Sequence, residues 1–90
     1  MGAMHATHWR QLGYLPASEA ARALEVPVMT LHRWVDRYKL PQERHGRYRF
    51  VRVRELIAHM RSVVTEKKIA DAFADALRLA LKQGDKARVG

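Results

Sequence analysis

Val26-Pro27-Val28-Met29-Thr30-Leu31-His32-Arg33-Trp34-Val35-Asp36-Arg37-Tyr38-Lys39-Leu40-Pro41 is the stretch on which the reading of this chain turns. Leu31, Trp34, Val35 and Tyr38 recur at i, i+3, i+4 and i+7, which places them on one face of a helix. Val28, Met29, His32, Arg33, Asp36 and Arg37 occupy the remaining surface. Pro27 suits the helix start, because its fixed φ is helical and its missing N–H would be unpaired there anyway. Leu40-Pro41 marks the end, since a residue before proline avoids the α region.

Upstream, Pro16 to Leu24 reads as a second short helix, with Pro16 at its first position and Glu19 favouring its positive end. Ala17, Ala20, Ala21 and Leu24 form a narrow apolar face, small enough for another helix to approach closely. Glu25-Val26-Pro27 is then a tight turn between two helices, a helix-turn-helix unit. Downstream, the period changes to two. Tyr48 and Phe50 alternate with Arg47 and Arg49, as in a half-buried strand. Gly46 supplies the turn of a hairpin whose tip and outer face are rich in arginine. Two strands alone are marginal, so the aromatic side is expected to rest on the helices.

Val53 to about Ser62 returns to the helical period through Val53, Leu56, Ile57 and Met60. A boundary, or a bend within one longer helix, falls near Ser62–Thr65, where Thr65 offers an N-cap. Ile69, Phe73, Ala76, Leu77, Ala80 and Leu81 then keep one side of a final helix apolar to Gln83. Gly84 suits the position after its end. The expected organisation is an N-terminal tail over 1–13 and a winged helix-turn-helix over 14–62. A C-terminal helix over 63–84 and a frayed tail over 85–90 complete it. Gly2-Ala3-Met4 reads as a remnant of tag cleavage. The tail's His5 and His8 are too weak a pair to make a metal site, though Trp9 has the size to dock on the core. The fold class is mainly α with a small β-hairpin.

Charge narrows the function. The 90 residues carry 17 Lys and Arg against 9 Asp and Glu, a formal net charge of +8. Arg33, Arg37, Arg44, Arg47, Arg49, Arg52, Arg54 and Arg61 fall within one third of the chain, whereas charge for solubility alone is spread and mixed in sign. That clustering points to a polyanionic partner. There is no cysteine, so thiol chemistry, disulfides and zinc-thiolate sites are excluded. No membrane span, secretory h-region, phosphate-binding glycine loop, nucleophile elbow or His-Glu-x-x-His pattern occurs. Asp71 and Asp75 interleave with Lys67, Lys68 and Arg78 as on a solvated helix face. His59 stands alone. No catalysis, metal, cofactor or small-molecule ligand is expected, and the expected location is the cytoplasm, on the nucleoid.

Tyr14-Leu15-Pro16-Ala17-Ser18-Glu19-Ala20-Ala21, followed by Leu31-His32-Arg33-Trp34 and Leu40-Pro41, resembles the start of excisionase-like and MerR-type DNA-binding domains. Arg44-His45-Gly46-Arg47-Tyr48-Arg49-Phe50 resembles their wing, and Arg54-Glu55-Leu56-Ile57 the helix that follows. The resemblance covers roughly residues 14–61. It implies a winged helix-turn-helix that binds double-stranded DNA. Arg33 matches the helix arginine such proteins point at DNA, and the wing arginines match by type. Val28 and Met29 stand where the family often has polar or basic residues, and Pro27 replaces its serine-like cap.

The residues make the same case physically. A helix fits the major groove with its N-terminal residues nearest the base edges, here Val28, Met29, His32 and Arg33. Arg33 suits guanine O6 and N7 or a phosphate, Val28 and Met29 a thymine methyl, and Arg37 and Lys39 phosphates. Arg47 is expected at the minor groove, with Arg44 and Arg49 on flanking phosphates. Taken singly, Arg33 and Arg37 read as ordinary solvated charges, and His32 and Val28 as plain surface or core positions. Trp34, Tyr48 and Phe50 read better as core than as stacking platforms. The apolar stripe of the last helix either completes the core or pairs two copies. Pairing is the expectation, giving a homodimer or higher homo-oligomer on repeated half-sites. Transcriptional regulation is the leading role. An excisionase-like architectural factor and a packaging or segregation adaptor use the same surface. A protein–protein adaptor with a basic face is the rival of another class.

Overall fold

The computed structural model describes the backbone of residues 9–89 and the side chains of residues 9–82. Gly2-Ala3-Met4, His5 and His8 lie outside the described residues, as does Gly90. The elements in order are β1 (Tyr14–Pro16), α1 (Ala17–Leu24), α2 (Val28–Tyr38), β2 (Gln42–His45), β3 (Tyr48–Arg52), α3 (Val53–Val63) and α4 (Lys67–Val89). The arrangement is the expected one: mostly helical, with a small antiparallel sheet and a C-terminal helix, consistent with a winged helix-turn-helix.

α1 is the hub. Ala17, Ala20 and Ala21 are all buried, and α1 packs against α2, α4, β1 and β3. Small side chains there let those elements approach its backbone. The turn to α2 is closed by Glu25, whose φ of 58° and ψ of 43° are left-handed. The Glu25 N–H bonds back to Arg22, and the Val26 N–H to the Ala21 carbonyl at 3.0 Å. This is the bonding that satisfies the open carbonyls of a helix end. Pro27 precedes α2 rather than opening it, with its carbonyl accepting from Thr30 and Leu31. Lys39, at φ 52°, ends α2 by the same left-handed device.

The sheet departs from expectation. It has three strands in the order β1-β3-β2, because Tyr14, Leu15 and Pro16 pair with Arg52, Val51 and Phe50. Pro16 is therefore the last strand residue and caps α1, not its first helical position. Leu15 and Val51 face the helices and join the core. Phe50 is buried on the other face, where Trp9 stacks on it at 5.8 Å and meets Tyr14 at 5.3 Å and His45 at 4.7 Å. The expectation that the aromatic side rests on the helices is thus corrected. Tyr48 is 63% exposed, and the upstream tryptophan covers Phe50 instead.

Trp9 to Gln11 form a helical turn, so the described fold extends upstream of Tyr14. Arg10 is only 9% exposed. It donates to the Glu19 carboxylate and, at 3.2 Å, to the Ala80 carbonyl. At the other end, α3 stops at Val63 and α4 starts on the Glu66 carbonyl, which accepts from Ile69 and Ala70, so Thr65 is not the cap. α4 runs through Gly84 to Val89 rather than stopping there. A glycine within a helix costs about 1 kcal/mol relative to alanine, which neighbouring helix formers such as Lys82 and Ala87 can outweigh. Its buried face is Ala70, Ala74 and Leu77, packed on α1 and α3. Leu77 is fully buried within this chain, which corrects its expected place in a pairing stripe.

Glu19→Ala leaves the buried Arg10 cation with a carbonyl partner alone and should lower stability by about 1–3 kcal/mol, read from urea unfolding. Replacing both residues by methionine should cost less than the single change, because no uncompensated charge then remains. A larger loss in the double variant would refute the pairing argument.

Candidate nucleic-acid interface

The helix period sorts α2 into two sides. Leu31 and Val35 are buried against α1, with Trp34 half-buried beside them. Tyr38, expected on this face, is 47% exposed; its ring packs on His59 of α3 at 4.4 Å. The opposite side carries Met29, Arg33, Asp36 and Arg37, all exposed, with Val28 at the helix start. Met29 is 63% exposed, a large apolar side chain offered to solvent at the end of the helix that meets base edges in groove-binding helices. No side chain caps that end, and no acidic residue lies in its first turn.

The wing is a two-residue hairpin. Gly46 takes φ 61° at the first central position, which type II′ turns reserve for glycine. His45 and Tyr48 close the pair, and Arg44 lies directly across from Arg49. Directly opposed residues share a sheet face, so Arg44 and Arg49 both point to the helix side.

Arg49 is the joint between wing and helix. Its side chain is 8% exposed, donating to Asp36 Oδ1 at 2.9 Å and to the His32 carbonyl at 3.4 Å. Its guanidinium also lies 3.3 Å from His32 Nδ1. The expected phosphate role of Arg49 is corrected by this arrangement: its charge is spent on Asp36, and burial removes it from the surface. His32 is half-buried in the same network, so its ring is held by the wing as well as facing outward. The sequence reading missed Asp36 as a functional position. Its signal was an acidic residue among cations on a helix face meant for a polyanion, which calls for a neutralising partner.

The remaining candidates stay available. Arg33 and Arg37 on α2, Lys39 just after it, and Arg44 and Arg47 on the wing are exposed, and none is in an ion pair among the described residues. Arg37 lies over the Tyr38 ring at 5.7 Å, which steadies it without neutralising it. Five unpaired cations thus lie on the outer side of α2, the turn after it and the wing. Among the described residues no group of three metal-ligating side chains occurs, and no helix is long and apolar enough to cross a membrane.

A family model described as a helix-turn-helix domain matches residues 14–63, from β1 to the last residue of α3. Neither the curated proteins nor the solved structures gave a match.

His59 supports α2 from behind, with Trp34 at 5.9 Å and Tyr38 at 4.4 Å. Burial holds its pKa below the ordinary value of 6.5. As pH falls through that value the unfolded chain takes up the proton first, so stability is full above it and declines below it. His59→Phe should therefore remove part of the stability difference between about pH 7.5 and 5.5 in urea unfolding. An identical pH dependence in the variant would exclude His59 as its source.

Proposed function

The chain belongs to the helix-turn-helix domain family, and on that premise we propose that it binds double-stranded DNA sequence-specifically, as a small transcriptional regulator acting without catalysis. The observation that carries this reading is the set of exposed, unpaired cations on α2 and the wing, held in one orientation by the Arg49–Asp36 joint. α2 enters the major groove. Arg33 reads a guanine, while Val28 and Met29 contact thymine methyl groups. Arg37 and Lys39 grip phosphates, which position without specifying. Arg47, at the wing tip, reaches the minor groove, with Arg44 on a flanking phosphate. Arg49 and His32 act indirectly, by fixing the wing against the helix.

Two copies pair through α4. Leu77 belongs to the core, and Phe73, Ala80 and Leu81 are partly occupied by it. A second apolar strip remains on the same helix. Ile69 and Leu79 are 44% and 52% exposed, with Ala72 exposed and Ala76 half-buried between them. Alanines at the centre permit close helix approach, and two DNA-binding units then engage two half-sites. The MerR-type and excisionase-like resemblance belongs to the same proposal, as does an architectural role at a recombination or segregation site.

The logarithm of the affinity for a specific duplex should fall steeply and linearly with log salt. Arg33→Ala should cost about 1–3 kcal/mol and relax preference at one base pair, whereas Arg47→Ala should weaken binding most on duplexes with a narrow A·T-rich minor groove. Absence of duplex binding at low salt sinks the reading. Ile69→Asp with Leu79→Asp should leave a folded monomer in sedimentation equilibrium, with weaker binding to paired half-sites. A dimer that persists in this variant places the interface elsewhere, and a monomeric parent protein removes the pairing.

A further inference from the structure

On the other side of α3 from His59 the molecule has a trough of about 550 Å³ between α3, α4 and the Leu12–Gly13 turn. Val53, Ile57 and Leu81 supply apolar floor, and Ala58 opens it to solvent. Leu12, 51% exposed, stands on its edge. Four arginines line it: Arg52, Arg54, Arg61 and Arg78. Among the described residues no acidic side chain does. Arg52, Arg61 and Arg78 each have one carboxylate partner, at 3.5, 3.3 and 3.8 Å, from residues outside the lining. Arg54 is in no ion pair among the described residues. α2 and the wing tip contribute nothing to this surface.

We infer that this trough docks an acidic amphipathic segment of a partner protein, apolar side chains on Val53, Ile57 and Leu81 and carboxylates on the arginine rim. Charge complementarity selects the occupant. An apolar floor edged by the unpaired Arg54 and by three arginines in exposed, weakly held pairs fits a chain that alternates carboxylates with leucine or phenylalanine. Duplex DNA fits poorly, because a phosphate backbone has no apolar group to fill the floor. A small amphipathic anion fits less well, since such ligands bind where most of their surface is enclosed, and here Leu12 and Ala58 lie open. The trough and the α2 surface lie on different sides of α3, so the protein holds DNA and partner together. That makes the domain a connector between a DNA site and an acidic protein.

The test titrates isotope-labelled full-length protein with a helical peptide of Asp, Glu, Leu and Phe, alone and with saturating duplex DNA, followed by NMR shifts and fluorescence anisotropy. Shifts should localise to Leu12, Val53, Ile57, Ala58 and Leu81, and DNA should leave peptide binding in place. A control peptide of equal charge with serine for leucine and phenylalanine should bind roughly tenfold more weakly. Ala58→Gln lays a longer side chain across the trough without changing charge. It should weaken the peptide by a similar factor and leave duplex binding unaltered. Equal binding of both peptides would reduce the effect to net charge and overturn the proposal. So would shifts confined to α2 and the wing, displacement of the peptide by DNA, or absence of binding. Saturation of the trough by dodecanoate, with no peptide shifts there, would assign it to a small anion and likewise overturn it.

Discussion

The close approach permitted by Ala17, Ala20 and Ala21 is the constraint from which the rest of the architecture follows. α1 has only eight residues, yet α2, α4, β1 and β3 all lean on it. Four neighbours can share so short a helix only if its own side chains take up little room. Any larger residue at Ala20, which is fully buried, would push at least one neighbour outward, and cores tolerate such overpacking poorly. The packing of α2 against α1 is thus set by methyl groups rather than by polar contacts.

Polar contacts instead set where the wing points. Gly46 and the hairpin register fix the wing internally, but a two-stranded extension has little of its own to hold it against a helix. Arg49 supplies that hold by donating to the His32 carbonyl and to Asp36 on α2, with the His32 ring in reach beside them. The cost is one cation withdrawn from the basic surface. The gain is preorganisation: helix and wing need not be ordered at the moment of binding.

What was legible in the sequence follows physical range. Leu31, Trp34 and Val35 announced α2 because a 3.6-residue period is a local property, and the helix-turn-helix followed from its neighbours. The exposed cations Arg33, Arg37, Arg44 and Arg47 were legible for the same reason. β1 was not, because three residues with a proline give no period to read. Arg49 was misplaced because alternation by two has two solutions, and choosing the wrong face inverts every side chain. Hydrophobicity favoured Tyr48 and Phe50 inside. The resolution lay in Trp9, which covers Phe50 from about forty positions upstream, a contact no local pattern encodes. Leu77 was misassigned in the same way: the stripe was seen, but which part of it α1 and α3 would claim is a property of the assembled core.

The hydrogen bond from Arg10 to the Ala80 carbonyl spans 70 positions, and it gives the chain a clasp. Loss of α4 from its place leaves the Arg10 guanidinium with Glu19 alone and uncovers the α1 alanines at the same time, so the two ends of the described fold open together rather than fraying one by one.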